Sequence, residues 1–168
     1  MNTHKLKLTV LCLLILPCVA SWGQADKNET DWRVGVTYVA ARSAKGTVDF
    51  LDPDDKPIAN VKVDDVLPIG STIRTKAGGK VVLLFSNGTV TTLQANGQLK
   101  VKSFAQGVFK AGAEKMSDLK TEPSPSDLNL NLDFGDLVVG TKNLIPEKSN
   151  MSIITPIGTA GIRGTQFQ

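Results

Sequence analysis

Three runs of β-branched and apolar residues, Lys80–Ser86, Thr89–Gln94 and Gln98–Phe104, are joined by the dipeptides Asn87-Gly88 and Asn96-Gly97. Asn-Gly between such runs is the strongest short hairpin signal, because a type I′ turn needs positive φ at both central residues. The spacing therefore predicts a three-stranded meander with two-residue loops. Such loops fix the register: Ser86 faces Thr89, Phe85 faces Val90 and Leu83 faces Thr92, then Ala95 faces Gln98, Gln94 faces Leu99 and Thr92 faces Val101. One face would carry Val81, Leu83, Phe85, Val90, Thr92, Leu99 and Val101. The other would carry Val82, Leu84, Thr91, Leu93, Lys100 and Lys102. The first run is apolar on both faces and is expected to be central in a sheet or sandwiched between layers; the third shows lysine outward and is expected nearer solvent.

The same alternation recurs along the chain. Trp32–Ala41 reads as one strand with Val34, Val36, Tyr38 and Ala40 on a common face, and Trp32 and Tyr38 read as core residues. Gly46–Leu51, Val61–Val66 and Ser71–Thr75 read as further strands. Asp52-Pro-Asp-Asp-Lys-Pro57 is a turn, since Asp side chains bond nearby backbone and Pro fixes φ. Ala105–Ser126 reads as a mobile insert, with one or two helical turns over Ala111–Lys120 and a linker composition in Glu122-Pro-Ser-Pro-Ser126. Leu128–Phe134 is a half-buried strand, Gly135-Asp136 turns the chain, and Leu137–Thr141 follows. Ser152–Thr155 and Thr159–Gln166 form a closing hairpin about Thr155-Pro156. Its glycines Gly158, Gly161 and Gly164 read as tight-turn and close-approach positions. Nine or ten short strands make the class all-β: short antiparallel strands in a sandwich or partly solenoid-like β-roll, with one irregular insert.

Residues 1–25 have the form of a signal peptide: Lys5 and Lys7, then an apolar stretch from Leu8 to Val19, then Gly23-Gln-Ala25 before a cut at Asp26. That leaves residues 26–168 as a single exported domain, periplasmic or envelope-associated, with no later membrane span. Lipidation at Cys18 is disfavoured because Pro17 precedes it. Both cysteines (Cys12, Cys18) and the single histidine (His4) fall in the removed segment. The remaining domain can form no disulfide, thiolate or imidazole metal site and lacks the commonest general base near neutral pH. Without Lys5 and Lys7, the 19 basic residues fall to 17 against 16 acidic ones. That balance argues against nucleic acid, which needs a concentrated basic face.

No residue pattern points to catalysis or a cofactor, so the chain is expected not to be an enzyme. Asp52, Asp54 and Asp55 lack the ligand spacing of a calcium loop. Asp64 and Asp65 are neighbours on an expected strand and would point to opposite faces, while Asp133 and Asp136 straddle a turn. Arg163 stands out as a lone charge in a small, apolar hairpin. It reads as a structural guanidinium for a carbonyl or for Asp64, Asp65 or Asp136, or else as a partner anchor.

Two blocks carry a resemblance to a known family. Met151-Ser-Ile-Ile-Thr-Pro-Ile-Gly-Thr-Ala-Gly-Ile-Arg-Gly-Thr-Gln-Phe167 is similar to the closing motif of the FecR domain, and Asp65–Leu93, through Leu67-Pro-Ile-Gly70 and Asn87-Gly88, resembles an earlier block of the same domain. The resemblance spans about Val61 to Phe167, with the less typical insert between. It implies a curled all-β domain that binds a protein, such as an outer-membrane receptor or a membrane regulator, with a place in cell-surface signalling. The cytoplasmic anti-sigma region of signalling members is not recognisable here. The alternative is an envelope structural or glycan-binding module. The motif residues marked as structural or partner-contacting are Thr155, Pro156, Gly158, Gly161, Arg163, Gly164, Thr165, Phe167, Asn87 and Gly88.

Overall fold

The computed structural model describes residues 31–43, 45–110, 116 and 118–162, and every regular element in them is a strand. The expected signal peptide, residues 1–25, and most of the 111–120 stretch lie outside these residues. The twelve strands are β1 (Trp32–Val34), β2 (Thr37–Arg42), β3 (Val48–Leu51), β4 (Val66–Leu67), β5 (Thr72–Thr75), β6 (Val81–Phe85), β7 (Val90–Leu93), β8 (Gln98–Gly107), β9 (Ser126–Phe134), β10 (Leu137–Gly140), β11 (Asn150–Thr155) and β12 (Gly158–Ile162). They form two sheets: a seven-stranded one in the order β12-β11-β9-β8-β5-β3, with β1 also on β8, and a five-stranded one in the order β10-β7-β6-β2-β4. All pairs are antiparallel except β9 with β11. The result is an all-β sandwich.

The core lies between the sheets. From the five-stranded sheet come the cross-strand rows Val39–Leu83–Thr91–Val139 and Val81–Leu93–Leu137, with Leu67, Thr37 and Phe85 beside them. The other sheet contributes Phe50, Ile73, Leu99, Val101, Phe104, Leu128, Leu130 and Met151, all buried. Phe85 and Phe104 meet edge to face across the sandwich, centroids 5.6 Å apart at 85°. That geometry suits the ring quadrupoles and ties the sheets at one point.

β6 is indeed the central strand of its sheet, but the expected meander does not form. The first loop holds three residues, Ser86-Asn87-Gly88. The Gly88 N–H donates to Phe85 O (2.8 Å), the Phe85 N–H donates to Thr89 O (2.9 Å), and only Gly88 takes positive φ (85°). This is a turn followed by a left-handed glycine rather than a type I′ pair. The register becomes Leu84 with Val90 and Leu83 with Thr91. One residue of slip exchanges the faces of the second strand, so Thr91 and Leu93 are buried and Val90 is exposed. At Asn96-Gly97 the chain changes sheets instead of reversing. Asn96 alone is left-handed (φ 57°), and Gly97 is pinned to β5 by exchange with the Thr75 backbone N–H and hydroxyl (2.9 Å each). β7 pairs with β10, and β8 with β9, β5 and β1.

The expected strand Trp32–Ala41 is likewise cut in two at Gly35-Val36, where the chain passes between sheets. The buried face beyond the break is Thr37 and Val39, and Trp32 is 44 % exposed rather than in the core. Gly35 is required there: its N–H donates to Phe104 O (2.9 Å), and a Cβ would stand 2.3 Å from the Phe104 ring. Val61–Val66 is mostly turn, with left-handed Asn60 and Asp64, and only Val66–Leu67 pairs. The Asp52 turn forms by the expected mechanism, Asp52 Oδ1 accepting from the N–H groups of Asp54 and Lys56 at 2.9 Å each.

Ala105–Ser126 is not wholly an excursion. β8 continues to Gly107 by bulging at Lys102, which moves burial from the Leu99, Val101 parity to Phe104 and Gln106. Glu122, Ser124 and Ser126 are buried.

The hydroxyls of Thr37, Ser71, Thr89 and Thr91 are buried without a hydrogen-bond partner. Removing such a group removes a desolvation penalty. Thr91→Val is therefore expected to leave stability unchanged or raise it by about 1 kcal/mol, read from urea midpoints.

Candidate functional site

The motif residues lie in two places. In the closing hairpin, Thr155 pairs with Gly158 around a Pro156-Ile157 loop, the Thr155 hydroxyl donates to Gly158 O (2.8 Å), and Ile157 is 99 % exposed. Gly158 and Gly161 stand on the outermost strand with open space where a Cβ would be, and neither has positive φ. The close-approach reading of these two glycines is thus corrected: they bare the edge rather than admit a neighbour. Arg163, Gly164, Thr165 and Phe167 lie outside the described residues.

Asn87 and Gly88 sit at the opposite end. β11 begins beside Asp127 and runs parallel to β9 toward Asn131, so the strand's length separates Thr155-Pro156 from the Asn87 corner. Asn87 is buried and closes one end of the sandwich. Its Nδ2 donates to Ser126 Oγ (2.9 Å), and its Oδ1 accepts from the Thr89 N–H (3.0 Å). Ser126 Oγ donates to Glu122 Oε2 (2.5 Å), Ile145 N–H donates to Glu122 Oε1 (2.7 Å), and Ser126 N–H donates to Ser149 Oγ (3.1 Å). The network holds together the β6–β7 loop, the start of β9 and the approach to β11. Its members are mutually satisfied, which suits a structural joint.

The carboxylate pairs do not converge. Asp64 is in a left-handed turn, and Asp65 Oδ2 accepts the Lys62 N–H (2.7 Å). Asp133 accepts from Gln98 Nε2 and Asn131 Nδ2. Among the described residues no group of three or more His, Cys, Asp or Glu could hold a metal. The Arg33 guanidinium has its pKa raised by its hydrogen bond to, and the charge of, Asp31; the pair is exposed.

What distinguishes the molecule is the difference between its two outer faces. The seven-stranded sheet turns a wet face outward. There Asp49, Arg74 and Gln98 lie in one row, and Ser103, Asn129 and Ser152 in another. Arg74 Nε donates to Gln98, Asn129 Nδ2 to Ser103 Oγ, Ser152 Oγ to Asn129, and Lys76 pairs with Asp49 at 3.0 Å. The five-stranded sheet turns out the rows Val66–Tyr38–Leu84–Val90–Gly140 and Ala41–Val82–Thr92–Val138. No charge interrupts them. Val66 is 56 % exposed, Val138 58 % and Val90 38 %, with Tyr38, Val82 and Leu84 half-buried. Beside Tyr38 the face runs into a groove of about 320 Å³ lined by Val34, Val36, Val108 and Phe109 and by one charged residue, Arg33. Its floor is Ser86 and Gln106, joined hydroxyl to amide at 2.6 Å.

An exposed, uncharged apolar surface of this kind is the candidate site for an interaction. Sequence reasoning missed it because the one-residue slip in β7 decides whether Val90 or Thr91 faces out.

Compared with known proteins, the chain matches the model of one family, described as FecR protein, over residues 71–168, more than half its length. No curated protein and no solved structure gives a significant match.

Proposed function

The chain belongs to the FecR protein family, and from that premise we propose that it is a non-enzymatic exported domain that binds a protein partner in the periplasm or envelope. The family points to a regulatory role in cell-surface signalling. In this reading residues 1–25 are removed as a signal peptide and residues 26–168 act as one domain. Among the described residues no helix is long and apolar enough to cross a membrane.

The observation that carries the reading is the uncharged outer face of the five-stranded sheet with its adjoining groove. Covering Val66, Val90 and Val138 stabilises a complex by about 25 cal/mol per Å² of apolar surface removed from water. A polar ligand such as a glycan would gain little there, since it needs directed hydrogen bonds or stacked aromatic platforms.

The test is a quantitative pull-down from periplasmic and outer-membrane extract of the source organism, read by mass spectrometry. The native chain should retain one stoichiometric receptor or regulator. A Val90→Lys/Val138→Lys variant, charged on the outer face only, should retain it at least about tenfold less, equivalent to ~1.4 kcal/mol. Retention on cell-wall material alone, or equal capture by both proteins, overturns the reading. The first of these results favours the envelope structural or glycan-binding alternative.

A further inference from the structure

Exposed sheet edges are normally blunted by charge, proline, bulges, short length or a covering loop. Most edges here follow the rule. β3 is covered where Ile58 N–H donates to Phe50 O (2.8 Å) and Leu51 bridges Pro57; β4 has two residues, β1 three including Arg33, and β10 four. β12 departs from it. Its five residues, Gly158-Thr-Ala-Gly-Ile162, pair with β11 in unbroken register and carry no charge, proline or bulge. Among the described residues nothing pairs with their other side.

The register tells which backbone groups are open. Thr155 and Gly158 flank a two-residue loop and face each other through hydrogen bonds. Alternation then directs the groups of Gly158, Ala160 and Ile162 to β11 and those of Thr159 and Gly161 outward.

We propose that two copies of this chain join along β12, antiparallel, about a twofold axis at Ala160. This inference does not depend on the outer-face reading. In that register Thr159 of each copy lies opposite Gly161 of the other, and each such pair exchanges two N–H···O bonds. Gly158 lies opposite Ile162. Every β-branched side chain thus meets a glycine, and no like charges are brought together across the axis. The two seven-stranded sheets become one continuous sheet, with an isologous interface of the kind a C2 dimer requires. The paired area is small, so association is expected to be weak, with half-dissociation in the ~10–100 μM range.

The experiment is sedimentation velocity on the full chain, produced in an exporting bacterial host and purified as that host processes it. The native protein should pass from monomer to dimer across that range. Gly161→Lys, which has open space for its side chain, should stay monomeric at every concentration with an unchanged thermal melt, while Gly161→Ala should dimerise like the native protein. Thr159→Lys is the second disrupting variant should Gly161→Lys fail to fold. Val90→Lys, on the outer face, should dimerise normally. A native protein that is monomeric throughout overturns the proposal. So does a dimer that survives both β12 lysines, or one lost in Val90→Lys instead.

Discussion

Gly35→Ala should destabilise the domain by about 2–4 kcal/mol, a large part of the ~5–15 kcal/mol that holds a domain of this size together. The added Cβ would meet three carbons of the Phe104 ring at 2.3–2.6 Å, well inside contact. The ring cannot swing aside freely, because it packs edge to face on Phe85 in the core. The backbone cannot retreat without breaking the Gly35 N–H bond to Phe104 O. Phe104→Ala alone should cost about 3–5 kcal/mol through lost burial and the cavity it leaves. The two should be strongly non-additive: on the Phe104→Ala background, Gly35→Ala should cost less than about 1 kcal/mol, because the clash is gone. A four-protein urea cycle reads this directly. Additive losses would mean that Gly35 is needed for some reason other than the ring above it.

Asn87→Ala should cost about 2–3 kcal/mol, although the residue is neither apolar nor in a strand. Two buried hydrogen bonds go at once. The Thr89 N–H loses its acceptor, and Ser126 Oγ loses a donor while still committed to Glu122. Asn87→Asp should also destabilise, since a carboxylate would replace the donating amide and place a second acid near Glu122. Gly88→Ala acts through the backbone instead. Its φ of 85° penalises any Cβ, and Lys142 Cγ at 2.7 Å must move, for a loss of about 1–2 kcal/mol. If Asn87→Ala costs no more than an ordinary surface change, under about 0.5 kcal/mol, the Asn87–Ser126–Glu122 network is not a joint of the fold.

The Asn87-Gly88 dipeptide shows what was legible in the sequence and what was not. That a reversal occurs there followed from its composition. That it takes three residues did not, because both loops are compatible with Asn-Gly, and the choice follows from Asn87 turning inward to reach Ser126, 39 residues on. Asn96-Gly97 gives the same local signal, yet it leads into the other sheet because Thr75 captures Gly97 from β5. The strict alternation of Leu128, Leu130 and Leu132 read correctly, since one face of β9 is core and the other wet. Its parallel partner could not be read, because β11 carries no mark of which strand it will lie beside. Glu122-Pro-Ser-Pro has the composition of a linker, yet Glu122 and Ser124 are buried by their hydrogen bonds. The isolated Gly35 in a strand-like run was the one available signal for the crossing between sheets. The apolar outer face needs the register of five strands to be seen at all. The family resemblance supplied a class of partner but no surface for it.

The closing hairpin is attached to the domain along a single parallel seam, β11 on β9, and Met151 is its one fully buried side chain. Parallel ladders are slightly less stable per residue than antiparallel ones, and this one closes between segments more than twenty residues apart. The antiparallel β6–β7 and β8–β9 pairs sit deeper in the sandwich. The hairpin is therefore the natural unit of sub-global opening. In native-state amide exchange the β11 and β12 amides should share one opening free energy below that of β6 and β8, so that this part of the molecule can unlatch and reclose while the rest stays folded.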